Sequence, residues 1–160
     1  MHLIKFFERR WQGFSISNGR ENENYLVIEL SPLSKPSCPI CSKKASSAHD
    51  TKTRIIREAS ILGKITHLEI PVRRVKCCGI TTEEISWLSK EARMTLRMQL
   101  YTEKLCKILP MSHIAKHLCL HWSTVRKIDK ARLSRDVPEP RYSQVTKLVM
   151  DEFAIHKGHR

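Results

Sequence analysis

The chain has 160 residues, with 29 lysines and arginines against 16 aspartates and glutamates, so its formal charge is +13. Hydrophobic residues make up 41% and charged residues 28%, a mixture that excludes both a disordered chain and a membrane protein. Such an excess of positive charge indicates a polyanionic partner.

The positive charge is concentrated in two segments. Residues 34–80 carry ten Lys/Arg against three acidic residues, and residues 111–135 carry six against one, so the two segments hold +7 and +5 of the +13. Two basic faces that contact only solvent are the alternative interpretation. The first ten residues do not resemble a signal peptide, and six cysteines without one indicate a reducing compartment. We therefore expect a cytoplasmic, nucleoid-associated protein that does not contact a membrane.

The first half of the chain has the patterns of a β unit. Two short alternating runs, Phe14–Ser17 and Tyr25–Leu30, flank a polar stretch over 18–24 and predict a hairpin with an ordinary loop. Between residues 54 and 77, frequent β-branched residues predict further strands, with Gly63 at the turn between two of them. The predicted β unit covers residues 1–88.

Four cysteines in this unit have the spacing of a metal site. Cys38 and Cys41 enclose a proline in a C-x-x-C motif, a turn that directs two thiolates at one tetrahedral cation. Cys77 and Cys78 follow 36 residues after Cys41. Two such pairs form a four-cysteine zinc ribbon, whose metal replaces the core that a small β unit lacks.

The second cysteine pair departs from that pattern because its cysteines are adjacent. Neighbouring side chains on a strand point to opposite faces, so Cys77 and Cys78 are expected to share a metal poorly. His49 or His67 is the alternative ligand in place of Cys77. Four thiols without a metal are the other interpretation. A thioredoxin-like redox role is not supported, since no βαβ pattern surrounds the C-x-x-C motif.

The second half of the chain is predicted to be helical. Apolar residues recur at helical spacing from Ser89 until Pro110, where a helix must stop, and two shorter helical stretches follow. The segment from Met111 to Lys130 fits a helix-turn-helix, with Cys119 at the left-handed turn position that glycine usually occupies. The predicted inward residues are Ile114, Ala115, Leu118, Leu120, Val125 and Ile128.

The second helix of this motif is predicted to begin near Trp122 and to present a DNA-binding face. Arg126 is the candidate for guanine recognition, and serine, threonine and lysine side chains are candidates for base edges or phosphates. An amphipathic helical hairpin with a basic face is the alternative. The predicted contacts are His121, Ser123, Thr124, Arg126, Lys127 and Lys130. His113, His117 and His121 are spaced as a metal-binding stripe, but the turn at Cys119 interrupts it.

Four features together resemble one family. They are the cysteine pairs, the strand segment Pro71–Cys77, the turn segment Leu120–Val125, and the closing segment Met150–Arg160 with its Asp-Glu-Phe-Ala and Lys-Gly-His-Arg. Over about residues 25–160 the chain resembles the ISL-three family of bacterial insertion-sequence transposases. The closing segment is the most specific part of the resemblance.

The resemblance implies double-stranded DNA as partner, with a zinc ribbon and a helix-turn-helix that bind terminal inverted repeats. A DDE catalytic domain of the ribonuclease H type would follow them. The expected fold class is α+β: a β zinc-ribbon unit with its ribbon over residues 38–79, a helical unit over 89–135, and a ribonuclease H-like stub over 136–160. Self-association is left open.

Asp151 matches the first DDE carboxylate, on a strand predicted from Val145 to Ile155 after a proline-rich linker. The family's other two carboxylates lie beyond Arg160, so we expect a truncated transposase without catalytic activity. Magnesium would then belong only to a full-length parent. The alternative functions are a stand-alone helix-turn-helix regulator, a zinc-ribbon module that binds RNA or protein, and a working nuclease.

Overall fold

The computed structural model describes residues 9–139, together with residues 143, 146 and 147. In this part of the chain a mixed sheet is followed by helices. The strands are β1 (Phe14–Glu21), β2 (Tyr25–Pro32), β3 (Asp50–Ile61), β4 (Lys64–Lys76) and β5 (Ile80–Thr82), and the helices are α1 (Leu96–Cys106), α2 (Met111–Leu118) and α3 (Trp122–Asp136). None of the described helices is both long and apolar enough to cross a membrane.

The sheet has the strand order β1-β2-β4-β3, and β5 pairs with the end of β4. Neighbouring strands are antiparallel except β2 and β4, which run parallel from the pair Tyr25–Ile65 to the pair Glu29–Glu69. β4 is therefore the central strand. Its alternate side chains pack into one apolar core with β1 and β2, formed by Trp11, Phe14, Ile28, Leu30, Ile56, Leu68, Ile70 and Val72.

Both predicted hairpins are present. β1 and β2 pair almost to their ends, so the predicted loop over 18–24 was too long. The reason is Asn22, whose side-chain oxygen accepts hydrogen bonds from the backbone N–H groups of Asn24 and Tyr25 and closes a tight turn. In the second hairpin, Leu62 and Gly63 connect β3 and β4 with φ angles of 51° and 77°. This is the two-residue turn expected at Gly63.

Helix α1 differs from its prediction. It begins at Leu96, well after Ser89, and ends at Cys106, before Pro110. Its buried residues are Met98, Gln99, Thr102 and Glu103, whereas Leu96 and Leu100 are exposed. A polar network explains this face, because Gln99 donates to Glu103 at 2.8 Å and Arg135 of α3 donates to the same carboxylate at 2.8 Å.

Helices α2 and α3 form the predicted helix-turn-helix. Cys119 follows α2 with φ 51° and ψ 46°, the left-handed conformation expected there, and α3 begins at Trp122. Contrary to the prediction, α3 is not short, since its 15 residues exceed the 11 of α1. The predicted inward residues all belong to the second apolar core or pack against it, a core formed by Met94, Met98, Ile114, Ala115, Leu118, Val125 and Ile128.

Two adjacent residues of β3 join the sheet to the helices. Arg57 exchanges backbone hydrogen bonds with Arg93 and Thr95 in the segment before α1. Glu58, which is fully buried, accepts hydrogen bonds from Trp11 Nε1 and Thr95 Oγ1, each at 2.9 Å. These bonds fix the N-terminal end of α1 to strand β3. The predicted strand from 145 to 155, with Asp151 and the ribonuclease H-like stub, lies outside the described residues.

Candidate metal centre and nucleic-acid interface

The four cysteines of the predicted ribbon converge. The sulfur atoms of Cys38, Cys41, Cys77 and Cys78 all lie within 4.8 Å of one another. Cys41 Sγ lies 3.5 Å from Cys77 Sγ, and Cys77 Sγ lies 3.9 Å from Cys78 Sγ. Zinc–thiolate bonds of about 2.3 Å place tetrahedral sulfurs roughly 3.8 Å apart. The cluster therefore has the donor set and the dimensions of a structural zinc site.

The first cysteine pair is held by a tight loop. Cys38 donates its backbone N–H to the Lys43 carbonyl at 2.9 Å, and Ser42 donates back to the Cys38 carbonyl at 2.8 Å. Hydrogen bonds from the backbone N–H groups of Cys41 and Ile40 favour a thiolate at Cys38 and lower its pKa to about 6. The Cys38 thiol therefore ionises readily, and a cysteine binds a metal as the thiolate.

The second pair corrects the sequence prediction. Cys77 and Cys78 do not lie on a strand, because β4 ends at Lys76 and residues 77–79 turn the chain into β5. Gly79, with φ 124°, accepts the Cys77 N–H at 3.1 Å and closes this turn. On a turn, adjacent side chains need not point to opposite faces, so both sulfurs reach the cluster.

The predicted histidine alternatives are not part of this cluster. His67 lies within β4 and stacks on Tyr25, with ring centroids 6.2 Å apart. His49 donates its backbone N–H to the Arg74 carbonyl. The hydrogen bond that Cys78 shares with Cys41 raises the pKa of Cys78 to about 12. A bound cation would oppose this effect, since it stabilises the thiolate.

The candidate nucleic-acid interface is the outer face of α3. Val125 and Ile128 are fully buried, while Trp122, Arg126 and Lys130 are exposed at a four-residue spacing. The Arg126 guanidinium lies 5.5 Å from the centroid of the Trp122 ring. This cation–π contact holds the Arg126 side chain against the helix. It therefore reduces the conformational entropy that the side chain would lose on binding a ligand.

Other predicted contact residues on α3 already have partners within the protein. His121 caps the helix, because its Nδ1 accepts the Ser123 N–H at 3.3 Å and lies 2.6 Å from Ser123 Oγ. Thr124 is half-buried. Lys127 Nζ contacts the Glu91 carbonyl at 2.5 Å and lies 3.8 Å from the Glu91 carboxylate. Lys130, by contrast, has no acidic partner among the described residues.

Two of these features were not predicted from the sequence. Trp122 was interpreted only as the start of the helix, although an exposed tryptophan four residues before an arginine is a recognisable signal for stacking. The pairing of Lys127 with Glu91 has no local signal, since 36 residues separate the two. The histidine stripe is interrupted as predicted, because His113 and His117 lie on α2 and His121 caps α3.

Comparison with known proteins identifies two domains in the chain. Residues 34–78 match the family model described as the zinc-finger of transposase IS204/IS1001/IS1096/IS1165. Residues 83–133 match the helix-turn-helix domain of transposase family ISL3. The chain contains the zinc-ribbon and helix-turn-helix domains of the ISL3 transposase family. The resemblance inferred from the sequence is thereby confirmed. The cysteine cluster lies within the first matched domain, and α2 and most of α3 lie within the second.

A curated relative of this chain is the transposase for insertion sequence element IS1001 of Bordetella parapertussis. It is 34% identical over 94% of this chain and 39% of its own length. The chain thus spans about two fifths of the relative that it matches. No solved structure matches the chain.

Proposed function

We propose that this chain binds duplex DNA sequence-specifically through α3, and that in transposition it recognises the terminal inverted repeats of an insertion sequence. The observation that carries the proposal is the exposed face of Trp122, Arg126 and Lys130, opposite the buried Val125 and Ile128. In a helix-turn-helix, the second helix enters the major groove with its N-terminal residues at the base edges. α3 has the position and the charge for this role.

The proposed roles follow from the side chains. Arg126 contacts a guanine through its O6 and N7 atoms, the commonest specific contact of an arginine. Ser123 and Thr124 contact base edges or a phosphate, and Lys130 contacts a phosphate. His121 contributes mainly by capping α3, so that its remaining ring nitrogen, Nε2, carries the proton and can donate to DNA. Lys127 must leave Glu91 before it can contact a phosphate.

We further propose that Cys38, Cys41, Cys77 and Cys78 hold one structural zinc ion. Bound there, zinc would supply four metal–sulfur bonds that fix the loop over 33–49 to the end of β4. The described loop has few apolar contacts of its own, since Leu33 and Ile40 are 67% and 64% exposed. A loop this small buries too little apolar surface to hold its shape, so a bound metal is needed to stabilise it.

The division of labour is also a proposal. A β unit over 1–88 carries the ribbon, and a helical unit over 89–135 reads DNA. Residues 136–160 form a linker and the first strand of a DDE domain, with Asp151 as its first carboxylate. Magnesium held by such a domain would supply the chemistry of strand transfer. Among the described residues, the side chains grouped to hold a metal ion are the four cysteines of the ribbon. The role that we propose for this part of the chain is therefore DNA recognition.

The test is selection of duplexes from a random library by the full chain, followed by fluorescence-anisotropy titration of the selected duplex and a scrambled one. Arg126→Gln should weaken binding to the selected duplex about 10- to 100-fold, equivalent to about 1–3 kcal/mol, and change binding to the scrambled duplex little. Lys104→Gln, an exposed change on α1, is the matched control. A failure to enrich any sequence would refute the proposal.

A further inference from the structure

A polar cavity lies beside the cysteine cluster, at the end of the sheet away from the helix-turn-helix. Its volume is about 370 Å³, and basic and hydroxyl side chains dominate its walls. No carboxylate contributes to the walls that the structure describes. The lining residues that carry polar side chains are Lys43, Lys44, Ser46, Ser47, His49 and Lys76.

The charges around this cavity are uncompensated. Several cations elsewhere in the sheet are paired: Lys64 with Glu21, Arg73 with Glu83, and Arg74 with Asp50. Lys43, Lys44 and Lys76 are exposed and have no ion pair with any described residue. Three unpaired cations around one concavity repel one another, so an anion bound between them would relieve that repulsion.

We propose that this cavity is a second DNA-binding site, which takes a backbone phosphate of the duplex that α3 reads. This inference rests on the proposed function of α3. A phosphodiester fits the chemistry of the cavity, because lysine binds phosphate as a point charge and serine hydroxyls donate to phosphate oxygens. The contact carries affinity and fixes the register of the protein on DNA, but no base identity.

The hairpin of β3 and β4 sets the distance between the two contacts. Arg57 bonds both the Thr66 carbonyl and the Leu118 carbonyl, so Thr66 marks the level of the helix-turn-helix. Lys76 lies ten residues further along β4. At about 3.3 Å per residue this is roughly 33 Å. One turn of B-DNA measures about 34 Å, so the proposal places the phosphate contact about one helical turn from the bases read by α3.

The first experiment measures the salt dependence of binding to a fluorescein-labelled 40-base-pair duplex of mixed sequence. The variant Lys43→Gln/Lys44→Gln/Lys76→Gln should have a log–log slope that is less steep by about 0.9, the value for the loss of one phosphate contact. Lys90→Gln/Lys104→Gln/Lys107→Gln, which removes equal charge elsewhere, should keep the wild-type slope. Equal slopes for both triple variants would overturn the proposal.

The second experiment is phosphate-ethylation interference on the duplex selected by the wild-type chain. The proposal predicts two groups of sensitive phosphates about one turn apart, of which the cavity variant loses only the outer group. The double variant Lys43→Gln/Lys44→Gln, which leaves the neighbour of Cys77 unchanged, must give the same loss, and zinc analysis must show that both variants retain their metal content. A single group of phosphates in the wild-type protein would refute the cavity contact.

These measurements separate the cavity contact from the function of α3. If Arg126→Gln abolishes sequence preference while the cavity variant binds as the wild type does, the second site is wrong and α3 recognition stands. If neither change alters binding to DNA, both are wrong. Tighter binding of a 40-base-pair RNA duplex than of DNA, lost in the cavity variant, would overturn the assignment to DNA.

Discussion

Arg57 Nη2 lies 3.4 Å from the carbonyl oxygen of Leu118, so strand β3 donates directly to the last residue of α2. Its Nη1 donates to the carbonyls of Glu58 and Thr66 at 2.8 and 3.0 Å. Burial lowers the pKa of Arg57, although the guanidinium remains charged. The C-terminal carbonyls of a helix carry partial negative charge, which this cation complements. One side chain thus connects the sheet to the turn that orients α3.

Replacement of this arginine by lysine should destabilise the protein. An ammonium group cannot donate to three carbonyls in the planar, forked geometry of a guanidinium, so at least one buried carbonyl loses its partner. We expect Arg57→Lys to lower the free energy of unfolding by about 1–3 kcal/mol, measured by urea denaturation. Arg54→Lys, on the exposed part of the same strand, is the control. Equal midpoints for the two variants would show that the contact contributes nothing.

The left-handed residue between α2 and α3 offers a stabilising substitution. A non-glycine residue at φ 51° costs about 1–2 kcal/mol, and glycine returns about half of this through its greater freedom in the unfolded chain. Cys119→Gly should therefore raise the free energy of unfolding by about 0.5–1 kcal/mol. Cys119→Ala, which keeps the Cβ atom, should stay near the wild type. A stabilisation shared by both variants would implicate the thiol and not the backbone.

The turn and the inward face of the helix-turn-helix could be predicted from the sequence because their signals are local. Apolar side chains one or two turns apart define the inward face, and the turn position is fixed by its distance from them. The buried face of α1 could not be predicted in this way. It includes the polar residues Gln99 and Glu103. The partner of Glu103, Arg135, lies 32 residues away, and no periodicity of apolar residues predicts such a contact.

The cysteine cluster was predicted in composition and misjudged in geometry. The adjacent pair was placed on a strand because β-branched residues continue up to Val75. The chain turns at 77–79 instead, and Gly79 was the local signal for that turn. The parallel pairing of β2 with β4 could not be predicted from the sequence either, since strand partners far apart in the chain leave no local pattern.

Zinc analysis tests the proposed metal site. Purified protein should contain one zinc per chain, and Cys38→Ser should lose it, because a structural site requires all four ligands. Removal of the metal with a chelator should lower the midpoint of thermal unfolding. Cys106→Ser, a half-buried thiol of α1 outside the cluster, should retain full occupancy. Wild-type protein that folds with no metal and does not respond to the chelator would contradict the assignment.

His67 makes stability depend on pH. Burial, and then the charge of Arg57, lower its pKa below the ordinary value of 6.5. As the pH falls below 6.5, the unfolded chain takes a proton that the folded protein does not, so the folded state loses stability until the pH reaches the folded pKa. Urea midpoints at pH 7.5 and 5.5 should therefore differ less in His67→Gln than in the wild type. His113 is exposed, so His113→Gln should leave the difference between the two urea midpoints unchanged. A smaller difference in His113→Gln would refute His67 as the origin of the pH dependence.

The most direct test of the central claim, that α3 reads DNA, is amide chemical-shift mapping of the full chain titrated with the selected duplex. The account predicts that the amides of residues 121–130 show the largest changes, centred on Trp122 and Arg126, and that those of β1 and β2 change little. Unchanged signals over residues 121–130 in protein saturated with DNA would contradict it.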